Sequence, residues 1–119
     1  MKPTEEQMKD LLFGFKTVKT VSSNGVVFVK DGATVGIGQG EVRRSWAVEA
    51  AIERAGKNIE GAVLASDAFF FEDTVELLYK NGVKAVIQPG GSIKDKNVIE
   101  LCDKYGIAMV FTGTRHFRH

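Results

Sequence analysis

The sequence predicts an α/β fold: a three-layer α/β/α sandwich with a mostly parallel sheet and an antiparallel hairpin at one edge. Patterns typical of helices and of strands alternate along most of the 119 residues, which indicates parallel strands with helices on both faces. Two β-rich runs flank Asp31-Gly32, a dipeptide typical of tight antiparallel hairpins. No repeat, linker or low-complexity stretch divides the chain, so we expect residues 1–119 to form a single domain.

The first helix is predicted over residues 5–16. Thr4 and Gln7 have the spacing of a capping box, in which each side chain bonds the backbone of the other residue. Apolar residues then recur at helical spacing, at Met8, Leu11, Leu12 and Phe15. The pattern therefore predicts a helix with one buried face.

The hairpin strands are predicted over residues 26–30 and 34–37, on either side of Asp31-Gly32. The glycine-rich stretch Gly36-Ile37-Gly38-Gln39-Gly40 then leads into a second helix, which ends at Gly56. The buried side of that helix is predicted to carry Val42, Trp46, Ala50 and Ala51.

Strands and helices alternate through the rest of the chain. Three further strands are predicted over residues 62–65, 83–87 and 107–111. Asp73 and Glu76 are predicted to cap a third helix that stops at Gly82, and a fourth helix ends at Gly106. The apolar faces of these helices are predicted to carry Val75, Leu77 and Leu78 in the third and Val98, Ile99 and Cys102 in the fourth.

Charge and cysteine content narrow the classes of partner and compartment. Sixteen basic and fifteen acidic residues nearly cancel, so we expect no binding to nucleic acid or to an anionic membrane. The single cysteine, Cys102, has no partner for an internal disulfide, and we interpret it as a small buried apolar residue and not as a reactive thiol. The sequence shows no apolar signal segment, so we expect a cytoplasmic protein.

The order of elements is that of the deaminase-like fold, whose zinc ligands lie at the starts of the second and third helices as His-x-Glu and Pro-Cys-x-x-Cys. The matching stretches here are residues 41–44 and 71–74, and neither contains histidine or cysteine. Zinc needs thiolate, imidazole or carboxylate groups that converge on one point, and Cys102 is predicted on a different helix. We therefore predict a cytidine-deaminase-like fold with no zinc and no zinc-dependent deamination.

The C-terminal tail contains both histidines, His116 and His119, at a spacing that would place them on one helical face towards a metal ion. A chain terminus rarely holds ligands rigidly and no carboxylate lies beside them, so we favour a solvated basic tail. Phe117 would anchor this tail on the domain, leaving Arg115, Arg118 and the two histidines able to face an anion.

Two glycine-rich stretches, residues 36–40 and 89–92, each allow two interpretations. The first does not have the spacing of a dinucleotide-binding loop and follows a hairpin. Free amides at the start of the second helix would bind a phosphate or carboxylate beside Arg43 and Arg44. Alternatively, the glycines only form a tight turn before a solvated helix face, and the same alternatives hold for residues 89–92.

Three adjacent aromatic residues, Phe69, Phe70 and Phe71, follow Ser66-Asp67 at the carboxyl end of the third strand. Open α/β sheets bind their ligands at this end of the strands. We expect two of the three rings to fill the space between strand and helix. The remaining ring would line a pocket or an interface, where it would stack on a flat heterocycle.

Several long motifs occur in a fixed order, at residues 66–70, 86–93, 106–109 and 115–119. Together they closely resemble the C-terminal end of aminoimidazole carboxamide ribonucleotide (AICAR) transformylase, which is part of a bifunctional enzyme of purine biosynthesis. The resemblance extends upstream through residues 15–19, 23–27 and 36–38, and so covers nearly the whole chain. Ordered motifs of this length are far more specific than an isolated glycine pattern.

The resemblance implies formyl transfer to AICAR from 10-formyltetrahydrofolate, which acts as a co-substrate and not as a bound cofactor. The family's nucleotide and folate site includes the positions that match Asn24, Arg44, Phe69, Asp73 and His119. Arg44 would pair with an anionic group and Phe69 would stack on a heterocycle. Asn24 and Asp73 would hydrogen-bond amide and amine groups. Because the family's site lies between subunits, the resemblance also implies a homodimer that binds a purine ribonucleotide and a folate.

The chain departs from the family in two respects. Family members run to several hundred residues, with a cyclohydrolase domain and a further deaminase-like half that carries a catalytic Lys-His pair. No Lys-His dipeptide occurs in this sequence, so we predict no catalytic residue within the chain and a separate subunit that completes the site. Locally, the family's Phe-Phe-Pro-Phe-Arg-Asp run is shortened at residues 69–73, and Arg43 adds a charge where the family tends to be uncharged.

Three hypotheses about function follow. The chain is a transformylase-type protein that is active only with a second subunit, or it is a catalytically silent domain that binds a purine ribonucleotide or folate as a sensor or accessory subunit. The third hypothesis is a structural remnant with only an oligomer interface, to which Phe70 or Trp46 would contribute.

Overall fold

The computed structural model describes residues 2–112. Its elements are, in chain order, α1 (Glu5–Val18), β1 (Val26–Lys30), β2 (Ala33–Gly38), α2 (Arg44–Ala55), a 3₁₀ turn (Gly56–Ile59), β3 (Val63–Ser66), α3 (Glu72–Lys80), β4 (Ala85–Gln88), α4 (Asp95–Tyr105) and β5 (Ala108–Phe111). The order of helices and strands is the predicted one, except for the 3₁₀ turn, which the sequence analysis did not anticipate.

The five strands form one sheet in the order β2-β1-β3-β4-β5. β1 is antiparallel to both of its neighbours, whereas β3, β4 and β5 are parallel to one another. β1 therefore runs against every other strand, and the β1–β2 hairpin forms one edge of the sheet. This arrangement confirms the predicted mostly parallel sheet with an antiparallel edge hairpin.

Helices cover both faces of the sheet, as predicted for a three-layer sandwich. Leu11, Phe15 and Val18 of α1 pack on one face, while α2, α3 and α4 pack on the other. Neighbouring residues of β1 contribute to different cores, because successive side chains of a strand point to opposite faces of the sheet. Val27 joins the core under α1, and Phe28 joins the core under the other three helices.

The start of α1 has the predicted cap. The amide N–H of Gln7 donates to Thr4 Oγ1 at 3.1 Å, and the Thr4 amide donates to Gln7 Oε1 at 2.9 Å. These two bonds satisfy donors that have no partner within the helix, so they fix the position where the helix begins.

The buried face of α2 differs from the prediction. The helix begins only at Arg44, so that Val42 lies in the preceding loop and is 84% exposed, and Trp46 is 48% exposed. The buried residues are Ala47, Val48, Ala51 and Ala55. The prediction is confirmed for Ala51, but it was wrong for Val42 and Trp46, and Ala50 is only partly buried. It took the large side chains as buried, whereas α2 approaches the sheet through small ones.

Two glycines of β2 allow that close approach. A Cβ atom on Gly36 would overlap the carbonyl oxygen of Ala51, and one on Gly38 would overlap the carbonyl oxygen of Ala47. We call this contact between Gly36, Gly38 and the backbone of α2 the glycine seam. Packing therefore explains Gly36 and Gly38, which neither of the two predicted interpretations covered. Gly40, with a φ of 70°, fits the predicted tight turn before the helix.

The predicted caps and faces of α3 and α4 are correct only in part. α3 begins at Glu72 with Phe71 at the cap position, so Asp73 and Glu76 do not form the predicted cap. Asp73 nevertheless bonds the first turn, because its Oδ1 accepts the amide N–H of Thr74 at 2.9 Å. Glu76 instead accepts hydrogen bonds from the hydroxyl of Tyr105, at 2.8 and 2.9 Å to its two oxygens, and joins α3 to α4. On α4, Cys102 is fully buried as predicted, but Ile99 is 38% exposed.

Candidate functional site

Arg44, the first residue of α2, lies between the carboxyl end of β3 and the loop that precedes β1. Its Nη1 forms an ion pair with Asp67 and donates to the carbonyl oxygen of Gly25 at 3.2 Å. Its Nη2 donates to Asn24 Oδ1 at 2.8 Å. The side chains of Arg44 and Asp67 are each only 14% exposed, so this ion pair is largely removed from water.

Asp67, which directly follows β3, connects two further groups through its second oxygen. Oδ2 accepts the hydroxyl of Ser23 at 2.8 Å and the amide N–H of Gly25 at 3.1 Å. A carboxylate with a guanidinium and two other donors has partners for both oxygens. Asp67 therefore holds the loop before β1 against the end of β3 and against α2.

Asn24 extends these contacts to the loop between β2 and α2. Its Nδ2 donates to the carbonyl oxygens of Glu41 and Val42, each at 2.9 Å. Because its Oδ1 already accepts from Arg44, both ends of the Asn24 amide have partners. We refer to Asp67, Arg44 and Asn24 together as the polar cluster.

A cavity of about 310 Å³ lies beside the polar cluster, between the first turns of α2 and α3. Its lining consists of Arg43, Arg44, Ser45, Phe71, Asp73 and Thr74. Arg43 is exposed, and its guanidinium lies 5.5 Å from the centre of the Trp46 ring. The cavity thus combines cationic, acidic and aromatic groups with the amino ends of two helices, where backbone N–H groups lack helical partners.

The three adjacent phenylalanines occupy different surroundings. Phe70 is 1% exposed and belongs to the core, whereas Phe69 and Phe71 are 36% and 49% exposed. The two exposed rings contact each other edge to face, with their centres 5.6 Å apart. The expectation that two of the three rings would be buried was therefore wrong, because only Phe70 points into the core, and its burial also removes it from any oligomer interface.

The glycine-rich turn after β4 is closed by a side chain. Asp95, the first residue of α4, accepts the amide N–H groups of Gly91 and Ser92 through Oδ2, at 2.8 and 3.3 Å. These amides, for which an anion was one of the two interpretations, thus have a carboxylate partner within the chain. The acidic side chain satisfies the same donors that an external anion would bind.

The thiol of Cys102 is buried and unreactive. Burial raises its pKa to about 12, with a smaller contribution from the charge of Asp103, so the thiol stays protonated near neutral pH.

Among residues 2–112, no three His, Cys, Asp or Glu side chains are grouped so that they could hold a metal ion. Over the same residues, no helix is both long enough and apolar enough to cross a membrane.

Four of the five predicted site residues lie in the described part of the chain. Asn24 and Arg44 are bonded to each other, and Asp73 lines the same cavity as Arg44. Phe69 touches that cavity only through its contact with Phe71. His119 lies outside residues 2–112, as do His116, Arg115, Phe117 and Arg118.

Two important residues had no assigned role in the sequence analysis. Asp67 was noted only as part of a motif, yet it is the ion-pair partner of Arg44. Phe71, and not Phe69, lines the cavity. The available signal for Asp67 was its position, because an acidic residue directly after a buried strand lies at the ligand-binding end of the sheet.

Comparisons with known sequences relate the chain to one group of proteins. A model of the AICARFT/IMPCHase bienzyme family matches residues 1–54. The bifunctional purine biosynthesis protein PurH of Clostridium acetobutylicum is 60% identical over 119 residues, which are 99% of this chain and 23% of that protein. PurH of Caldicellulosiruptor bescii is 57% identical over the same shares. The chain thus spans about a quarter of the length of the relatives it matches.

Comparisons with solved structures identify the fold. The dCMP deaminase of cyanophage S-TIM5 superposes with a TM-score of 0.63 at 17% identity, covering 94% of this chain and 100% of that one. A diaminohydroxyphosphoribosylaminopyrimidine deaminase/5-amino-6-(5-phosphoribosylamino)uracil reductase from Thermotoga maritima gives 0.58 at 22% identity, covering 89% and 36%. The fold is therefore cytidine-deaminase-like, as the sequence predicted.

Proposed function

We propose that the chain is a segment of the AICARFT/IMPCHase bienzyme family and forms a purine-biosynthesis domain that takes part in formyl transfer to AICAR. The formyl donor would be 10-formyltetrahydrofolate, and the reaction would need residues from another segment or subunit. The observation that carries this proposal is the cavity between α2 and α3, in a chain 57–60% identical to segments of PurH proteins.

The cavity offers groups suited to a substituted heterocycle with an anionic end. Phe71 presents an exposed ring for stacking, and Asp73 presents a carboxylate that accepts N–H groups of an amine or amide. Arg43 supplies a positive charge at the rim for a phosphate or carboxylate. Arg44 also lines the cavity, and the family resemblance adds Asn24 to the site, where the two side chains act as hydrogen-bonding groups of fixed orientation.

The chemistry of the reaction separates substrate binding, for which this chain has suitable residues, from proton transfer. In formyl transfer, the amine nitrogen of AICAR forms a bond to the formyl carbon, the bond from that carbon to the folate nitrogen breaks, and a proton passes from the amine to the folate. The chain contains no Lys-His pair for this proton transfer. Its own residues bind and orient the two substrates, and the acid and base come from elsewhere.

The assembly would be a homodimer with the site at or near the subunit boundary. Three apolar side chains near the cavity support this part of the proposal: Val42, Trp46 and Phe71 are 84%, 48% and 49% exposed. Exposed apolar residues grouped beside a polar site are typical of interfaces. Small-angle scattering of the chain in solution should give the mass of a dimer, and a monomeric profile at every concentration would contradict the assembly.

A second candidate is a non-catalytic accessory or sensor domain that binds a purine ribonucleotide or a folate. The observation that favours it is the ion pair between Arg44 and Asp67, in which the carboxylate balances the positive charge that Arg44 would offer to a reacting anion. This candidate keeps ligand binding and omits formyl transfer. The two candidates therefore differ in one measurable activity.

The decisive experiment measures binding and transfer separately. Calorimetry should show saturable binding of AICAR by the chain, and Asp73→Asn should weaken it, because the substitution removes a charged acceptor from the cavity. Asp31→Asn is the matched control, since Asp31 lies at the hairpin turn, at the far end of β1 from the cavity. Absence of binding to AICAR and to 10-formyltetrahydrofolate would contradict both candidates.

Transfer is then tested by complementation. The chain is mixed with the remaining part of the Clostridium acetobutylicum PurH protein, and formyl transfer from 10-formyltetrahydrofolate to AICAR is followed by absorbance. We expect activity in the mixture and none in either part alone. Binding without activity in any mixture would favour the accessory domain.

A further inference from the structure

We propose that Asp67 is a positioning residue that fixes the orientation of Arg44 and Asn24 beside the ligand cavity. Asp67 does not line the cavity itself, and it acts through the two side chains that it holds. The inference rests on the proposed function, because it assigns a role within the same ligand site. It identifies Asp67 as the residue on which the geometry of that site depends.

Three segments of the chain meet at the Asp67 carboxylate. Oδ1 holds Arg44 at the start of α2, while Oδ2 holds Ser23 and the amide of Gly25 in the loop before β1. The Asp67 backbone is also fixed, because its N–H donates to the carbonyl oxygen of Gly25 at 3.1 Å. A side chain anchored on a paired strand end gives its partners a rigid reference point.

The guanidinium of Arg44 is held in one orientation beside the cavity. Both of its terminal nitrogens are occupied, Nη1 by Asp67 and Gly25 and Nη2 by Asn24. Its Nε is buried and has no hydrogen-bond partner among residues 2–112. A buried N–H without a partner is costly, so the other bonds of the guanidinium, above all the ion pair with Asp67, must hold it in place.

The hydrogen bonds continue from Arg44 towards the rim of the cavity. Arg44 fixes the Oδ1 side of the Asn24 amide, and the Nδ2 side then bonds the carbonyl oxygens of Glu41 and Val42. Those two residues directly precede Arg43, the exposed cation that lines the cavity. Loss of the Asp67 charge would therefore release Arg44, then Asn24, and then the loop that carries Arg43.

The test compares Asp67→Asn with Glu76→Gln in the whole chain. Each substitution neutralises one carboxylate that joins two elements, but Glu76 bonds Tyr105 between α3 and α4 and does not line the cavity. Urea unfolding establishes how much stability each variant loses. We expect Asp67→Asn to weaken AICAR binding about tenfold, the usual effect of losing a hydrogen bond to a charged group, and Glu76→Gln to leave it unchanged.

A second measurement follows Arg44 itself without any ligand. In the unaltered chain the bonded Nη groups of Arg44 should rotate slowly and give separate NMR signals, and in Asp67→Asn these signals should merge. Unchanged Arg44 signals, or equal loss of AICAR affinity in both variants, would overturn the positioning role. If the unaltered chain binds neither AICAR nor 10-formyltetrahydrofolate, the proposed function fails, and the Arg44 signals alone then decide whether Asp67 positions that side chain.

Discussion

The glycine seam and the polar cluster hold the same helix, α2, in two different ways. The seam holds the body of the helix by direct backbone contact with Gly36 and Gly38, without a side chain between them. The cluster holds its first residue, Arg44, through an ion pair and hydrogen bonds. The difference teaches that a glycine pattern which looks like a ligand loop serves packing, while the candidate ligand site depends on neighbouring polar side chains.

The largest expected effect is the loss of stability when the glycine seam is altered. Gly38→Ala places a Cβ against the carbonyl oxygen of Ala47, and neither backbone moves easily in a close-packed core. We expect a loss of roughly 3 kcal/mol in the free energy of unfolding, measured by urea titration, or failure to fold.

Gly32→Ala provides the matched control for that substitution. Gly32 has a φ of 79°, but within residues 2–112 no atom lies within 4 Å of its added Cβ, so only backbone strain of about 1 kcal/mol applies. Equal losses for the two alanine variants would show that close packing against α2 is not the reason for Gly38.

The next effect is on the polar cluster. Arg44→Met keeps the length of the side chain but leaves Asp67 largely buried without its charge partner. We expect the free energy of unfolding to fall by about 2 kcal/mol. This is less than for a fully buried ion pair, because Asp67 keeps its hydrogen bonds from Ser23 and Gly25. The double variant with Asp67→Asn should recover part of this loss in urea unfolding, and strictly additive losses would show that the two side chains are not coupled.

A smaller effect separates stability from binding at the cavity rim. Arg43→Gln removes an exposed charge, so the free energy of unfolding should change by less than about 0.5 kcal/mol. AICAR binding, measured by calorimetry, should weaken about fivefold because one anion contact is lost. Lys80→Gln removes the same charge at the exposed end of α3 and should leave binding unchanged. Comparable weakening by both would indicate an effect of net charge alone.

The smallest effect is a pH dependence in the apolar core. The pKa of Cys102 rises from 9.0 to about 12 on folding, so between these values the unfolded chain loses the thiol proton first. The folded state then binds more protons than the unfolded state, and stability must fall as the pH rises through this window. Urea unfolding between pH 8 and 9, where this decline stays below about 0.5 kcal/mol, should show a fall that is weaker in Cys102→Val, and identical pH profiles would contradict the burial of the thiol.

Much of the fold could be predicted from the sequence, because signals between neighbouring residues determine where its elements begin and end. The Thr4-Gln7 capping box and the Asp31-Gly32 hairpin turn each concern neighbouring residues, and both α1 and the β1–β2 hairpin occur where predicted. The buried face of α2 was not accessible in this way. It depends on how close the helix comes to β2, which is set by glycines on a different element.

The candidate site was only partly predictable for the same reason. Asn24, Arg44 and Asp73 were identified through a family resemblance, and the structure brings them to one end of the sheet. Their contacts come from residues far apart in sequence, so no spacing rule revealed that Asp67 would bond Arg44. Likewise, a run of three aromatic residues does not show which ring enters the core, because that depends on the backbone direction between β3 and α3.

The measurement that tests the central claim most directly is an NMR titration of the chain with AICAR. The account predicts saturable shifts at the amides of Arg43, Arg44 and Ser45 in α2 and at Phe71, Asp73 and Thr74 in α3, with the glycine seam unaffected. Shifts centred on Gly36 and Gly38, or no saturable shifts with either AICAR or 10-formyltetrahydrofolate, would contradict it.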